Sequence, residues 1–271
     1  MLKKVFLFFV YGFAVFGVLL TGVFFAVQFG LTKESGIIDT QRGSFLSNQT
    51  EKTPSYEAPQ WTRLEEWQTL QEAVLKDREI IYKASAVAGI PSRLLVAPLV
   101  VEQLRLFFDS RELFKTVFAP LKILGVQSQF SWGVMGIKQE TAVAIEEHLK
   151  DSNSPFYLGP AYEHLLDFST DNPDQERFAR LTDQHNRYYS YLYGAIYIKE
   201  LETQWQRAGF DISDKPEIIS TLYNIGFDHS LPNASPQTGD AEIPVGDATY
   251  SFGALAADFY HSQELIEYFP N

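Results

Sequence analysis

The longest apolar run in the chain extends from Val5 to Val27, carries no charge and is dominated by Phe, Val and Leu. As a helix rising about 1.5 Å per residue it reaches roughly 35 Å, enough to cross a bilayer core with slight tilt. A cleaved signal usually has an apolar stretch of about 7–15 residues followed by a small-x-small site. This run is longer and no such site follows, so an uncleaved anchor over residues 1–31 is expected, with a cleaved signal as the alternative. Lys3 and Lys4 precede the run, while Lys33 is balanced by Glu34 behind it. The positive-inside rule then puts the N-terminus in the cytoplasm and the remainder on the extracytoplasmic side.

Periodicity disappears over residues 32–58, which fill with Ser, Thr, Gln, Asn and Pro, as in a flexible stalk. From residue 59 to 271 the texture is helical. Trp61, Leu64, Trp67, Leu70, Ala73, Val74 and Ile80 recur at three- and four-residue steps, predicting one long amphipathic helix. Gly89-Ile90-Pro91-Ser92 ends it, and Ser92 is a candidate cap for the next helix. That helix, Leu94 to Phe108, is apolar almost all round and reads as central and buried, with Pro98 expected to bend it. Gln139 to His148, Arg177 to Arg207, Lys215 to Tyr223 and Gly253 to Tyr260 also read as helices. Glu242 to Val245 and Ala248 to Phe252, joined by Gly246-Asp247, predict a β-hairpin. The fold class is therefore mostly α: one helical domain with a small β element.

Composition narrows the function by exclusion. The chain has 22 basic and 34 acidic residues, a formal net charge of −12, which argues against nucleic-acid binding. It has no cysteine, which removes disulfides, thiolate metal ligands, thiol nucleophiles and a lipidated cysteine. The histidines, His148, His164, His185, His229 and His261, show no close metal-binding spacing, so no metal or other cofactor is expected. No Gly-x-Ser-x-Gly elbow or P-loop occurs.

Glu102 is the only acidic residue between Glu79 and Asp109, and it shares a helix face with Leu95, Pro98 and Leu99. Burial there disfavours the ionised form, and a carboxyl still protonated at neutral pH can protonate a glycosidic oxygen. A structural role is the alternative: Glu102 salt-bridged to Arg105 or Arg93 at the end of the buried stretch. Glu140, in the first turn of its helix, is a second acid candidate that the helix dipole already explains.

Ala88-Gly89-Ile90-Pro91-Ser92 through Ala97, followed by Glu102, is similar to the opening of the lytic transglycosylase (SLT-type) domain of the lysozyme-like superfamily, where a Gly-Ile-Pro turn precedes the helix carrying the catalytic Glu. Ser131-Trp132-Gly133-Val134-Met135-Gly136-Ile137 resembles its Gly-Leu-Met-Gln stretch. Tyr191 to Leu201 resembles the helix before its last motif, and Leu222-Tyr223-Asn224-Ile225-Gly226 resembles its Ala-Tyr-Asn-Ala-Gly motif. The chain departs from the family at Gln103, where Ser is common, at Gly136, where Gln is usual, and in an apparent insertion around Asp151 to Gln175.

The resemblance implies an α+β lysozyme-like domain over residues 59–271 that acts on peptidoglycan glycan strands between N-acetylmuramic acid and N-acetylglucosamine. Glu102 is the implied acid/base and the product a 1,6-anhydro sugar. Ser131, Gly133, Met135, Tyr223 and Asn224 are the implied substrate-binding residues. From the residues themselves, Gly133 and Gly136 admit a close backbone approach, to a sugar or within an ordinary turn. Tyr223 and Asn224 offer a hydroxyl and an amide, or else a core ring and a helix cap. A hydrolytic muramidase and a non-catalytic wall-binding scaffold remain the alternatives.

Overall fold

A computed structural model describes residues 59–108, 131–239, 241–246 and 248–271. The anchor and stalk expected over 1–31 and 32–58 lie outside the described residues. No helix among the described residues is long and apolar enough to cross a membrane.

The apolar spacing after Trp61 is carried by three pieces rather than one helix. A short 3-10 turn at Gln60–Arg63 leads into α1, Glu65–Lys76, and then α2, Arg78–Ala88. The break between α1 and α2 falls at Asp77, which is 6% exposed. Its carboxylate accepts from Arg187 Nη1 at 2.8 Å and from the Tyr191 hydroxyl at 2.7 Å. A buried acid satisfied by distant partners thus turns the corner without interrupting the apolar face.

Gly89, at φ 70°, closes α2 in the left-handed conformation that glycine adopts at least cost. The central helix α3, Ser92–Phe108, follows and continues through Pro98. Ser92 is its first helical residue rather than its cap: the Pro91 carbonyl accepts from the Leu94 and Leu95 amides. Leu94 to Val101 are buried on every side, as expected for a helix that packs against α1, α2 and the elements that follow it.

A two-residue ladder not expected from the sequence pairs β1, Ser131–Trp132, with β2, Ile137–Lys138, around the Gly133–Gly136 turn. Helix α4, Gln139–Lys150, comes next. The stretch expected as one helix from Arg177 to Arg207 is two, α5 at Pro173–Thr182 and α6 at Tyr188–Arg207. Asp183 separates them, its side chain accepting from the backbone amides of His185 and Asn186 in a local turn.

Helix α7, Pro216–Ile225, and a 3-10 turn at Phe227–His229 lead to the hairpin of β3, Glu242–Val245, and β4, Ala248–Ser251. Its register pairs Val245 with Ala248 and Glu242 with Ser251. Phe252 opens α8, Phe252–His261, instead of ending the strand, and Ser251 caps it by accepting from the Ala254 amide. The mostly helical class and the hairpin agree with the sequence. Buried side chains from the helices and the hairpin form one hydrophobic cluster, with α3 at its centre.

Candidate functional site

Helix α3 delivers Glu102 to the junction of α7 and the Gly133–Gly136 turn. Glu102 is 4% exposed, so its carboxyl is largely withdrawn from water. One helical turn on, Arg105 Nη2 lies 2.5 Å from Glu102 Oε2, and Arg105 Nη1 donates to Asn224 Oδ1 at 3.4 Å. The ion pair offered as a structural alternative is therefore formed, with Arg105 as the partner. Burial opposes ionisation of this carboxyl while the guanidinium favours it.

Arg93, the other candidate partner, is fully buried and points elsewhere. It donates to the carbonyls of Phe259, Tyr260, Ser262, Glu264 and Phe269. It ties the start of α3 to the C-terminal end of α8.

Side chains from three helices hold the turn against α3. Gln103 Nε2 donates to the Val134 carbonyl at 2.6 Å, the Tyr223 hydroxyl donates to the Met135 carbonyl at 2.7 Å, and Ser190 Oγ accepts from the Met135 amide at 3.4 Å. Gly133 and Gly136 both take positive φ, 66° and 63°. A Cβ on Gly133 would lie 2.1 Å from the Leu181 carbonyl oxygen and 2.5 Å from Ser190 Oγ. The close approach at Gly133 is thus to the protein's own α5 and α6. At Gly136 it is to Glu102, whose Oε2 would be 2.6 Å from a Cβ.

The residues implied as a substrate surface divide by exposure. Met135 is fully buried, and a Cβ on Gly194 of α6 would meet its Cε at 2.7 Å, so its side chain supports the turn from beneath. Ser131 pairs with Lys138 at the start of the ladder. Gly133 is exposed, and Asn224 is half-buried beside Arg105. Tyr223 is 5% exposed, with its ring 4.9 Å from that of Tyr197. Burial first, then the negative charge of Glu102, pushes the Tyr223 hydroxyl well above its ordinary range, so it stays a proton donor to the turn.

Glu102, Tyr223, Asn224 and the turn therefore converge, although they come from segments up to 122 residues apart in number. Arg105, Gln103 and Ser190 complete the arrangement. Glu140 stands in the first turn of α4 and is exposed; Asp228 and His229 are also exposed. No group of His, Asp and Glu among the described residues could hold a metal ion.

No family model, curated protein or solved structure matches this chain.

Proposed function

We propose that the chain is a membrane-anchored peptidoglycan lytic transglycosylase with Glu102 as its acid/base. The observation that carries this reading is the convergence of a withdrawn carboxyl, the Gly133–Gly136 turn and the Tyr223-Asn224 pair at one junction. Those are the segments on which the family resemblance rests.

In the proposed reaction the protonated Glu102 gives its proton to the glycosidic oxygen between N-acetylmuramic acid and N-acetylglucosamine. The C1–O bond breaks and the N-acetylglucosamine end leaves as an alcohol. The Glu102 carboxylate then takes the proton from the muramic C6 hydroxyl as that oxygen bonds to C1. The 1,6-anhydro ring closes without water and Glu102 regains its proton. One carboxyl serves both steps. Tyr223 acts through the turn: its bond to the Met135 carbonyl fixes the backbone that faces Glu102.

One observation favours a second reading. The Arg105–Glu102 pair is also what a purely structural carboxylate would make, as in a wall-binding scaffold. Incubating the full-length chain in detergent with purified sacculi separates the readings. Mass spectrometry is expected to find anhydro-muramoyl products that vanish with Glu102→Gln. Reducing-end products without the anhydro ring would indicate a hydrolytic muramidase. Intact sacculi with retained binding would indicate the scaffold.

A further inference from the structure

We propose that Arg105 is a positioning residue for Glu102, orienting its carboxyl against Gly136 and setting the pH range in which it delivers a proton. The inference rests on the reading of Glu102 as the acid. The oxygen that Arg105 holds, Oε2, is also the one nearest to a Cβ position on Gly136, at 2.6 Å, with Oε1 farther away at 3.1 Å. A guanidinium is a planar fork, so gripping Glu102 with Nη2 and Asn224 with Nη1 restricts the direction of both. Because Glu102 and Arg105 sit three residues apart on one rigid helix, the grip does not depend on a loop. Asn224 anchors the fork from α7.

Among the described residues, three elements present groups to Glu102. Helix α3 presents Arg105; α7 presents Tyr223, held protonated, and the neutral Asn224; the turn presents Gly136 backbone. Tyr197 of α6 lies behind Tyr223 and is likewise held protonated by burial. Among the described residues Arg105 is thus a positive charge by which this site favours the ionised form of its acid. Its consequence is a general acid that loses its proton at lower pH than burial alone dictates.

The test pairs kinetics with a titration that needs no turnover. Rates on peptidoglycan are measured from pH 4 to 9 for the full-length chain, Arg105→Gln and Arg105→Lys. The Glu102 carboxyl carbon is followed by NMR across the same range, assigned through Glu102→Gln. Arg105→Gln is expected to move both the alkaline limb and the titration midpoint up by at least about one pH unit. Its maximal rate falls tenfold or more, because the carboxyl is no longer oriented. Arg105→Lys keeps the charge but not the fork, so its midpoint stays near the wild-type value while the rate still falls. Arg105→Met, of similar reach without charge, serves if the glutamine variant lacks the wild-type circular dichroism. An active chain whose limb and midpoint ignore Arg105 overturns this inference alone. A wild-type chain that cleaves no glycan overturns the acid role itself, a distinct result.

Discussion

A Cβ on Gly136 would lie 2.6 Å from Oε2 and 2.7 Å from the carboxyl carbon of Glu102, so the acid packs directly on the backbone of the turn. Two costs attach to any other residue at this position. The φ of 63° strains an L side chain by about 1 kcal/mol, and the added carbon displaces the carboxyl from Arg105. The family that this segment resembles usually carries Gln here, and this chain has no room for one in the same backbone conformation. Gly136→Gln, although it introduces the residue usual in that family, is expected to abolish the proposed glycan cleavage, and Gly136→Ala to reduce it at least tenfold. Both should retain helical circular dichroism. Steady-state rates on sacculi, with melting curves alongside, check this; a Gly136→Gln variant as active as wild type would show that the turn yields freely.

Gln103 supplies the matching contact from α3, its amide donating to the Val134 carbonyl. A serine at this position is too short to reach across, so Gln103→Ser is expected to lose the bond and about 1 kcal/mol of stability. The larger effect falls on the proposed cleavage, since the turn that backs Glu102 is then held by Tyr223 and Ser190 alone among its side-chain clamps from the described residues. A drop in kcat with KM little changed is the expected signature. Equal loss in both would mean that Gln103 meets the substrate instead.

These contacts also mark what local sequence reading reaches. The hairpin from Glu242 to Ser251 was legible because alternation and a Gly-Asp turn are local signals. The buried α3 was legible from its unbroken apolar run, and the Arg105–Glu102 pair only as one of two candidate ion pairs, Arg93 being the other. The breaks at Asp77 and Asp183 were not, because the apolar spacing persists across them. Asp77 becomes a corner only through Arg187 and Tyr191, more than 100 positions away. Likewise nothing near Ser190 announces that its hydroxyl meets the turn. Gly133 and Gly136 look alike in sequence, yet one abuts α5 and α6 and the other the acid. Proximity decides these roles, and proximity here is non-local.

Arg93 leads to a prediction about stability alone. Its guanidinium is fully buried, donates to five carbonyls between Phe259 and Phe269, and lies 4.7 Å from the Phe259 ring centre. Removing it strands several buried acceptors at once. Arg93→Met is expected to cost about 3 kcal/mol or more, lowering Tm by roughly 6–12 °C. Arg93→Lys should recover little, because a single ammonium cannot span the same carbonyls. Differential scanning calorimetry on the three chains tests the ranking; full rescue by lysine would assign the effect to charge rather than to the fork.

Glu200 of α6 is fully buried against His148 of α4, whose Nδ1 lies 3.2 Å from its Oε2. The other carboxyl oxygen, Oε1, has no hydrogen-bond partner among the described residues. His148 stacks on Phe156 and meets the edge of Phe227. In these apolar surroundings burial drives Glu200 well above the usual carboxylate range and His148 down to about 4, the nearby Asp151 opposing the latter. Near neutral pH the pair is therefore uncharged. For His148 the unfolded chain binds a proton that the fold refuses, so its contribution to stability is lost as pH falls from about 6.5 towards 4. For Glu200 the fold keeps a proton that the unfolded chain releases, so stability is lost as pH rises above about 4.5. Glu200→Gln holds the neutral shape at every pH. It is expected to raise Tm at pH 7–8, with a gain that fades as pH approaches 4.5. The remaining slope, stability rising with pH between about 4 and 6.5, then belongs to His148. Melting curves at pH 4.5, 6 and 8 decide the matter. A Glu200→Gln variant that melts lower than wild type at pH 7 would mean that the pair is held as a buried ion pair instead.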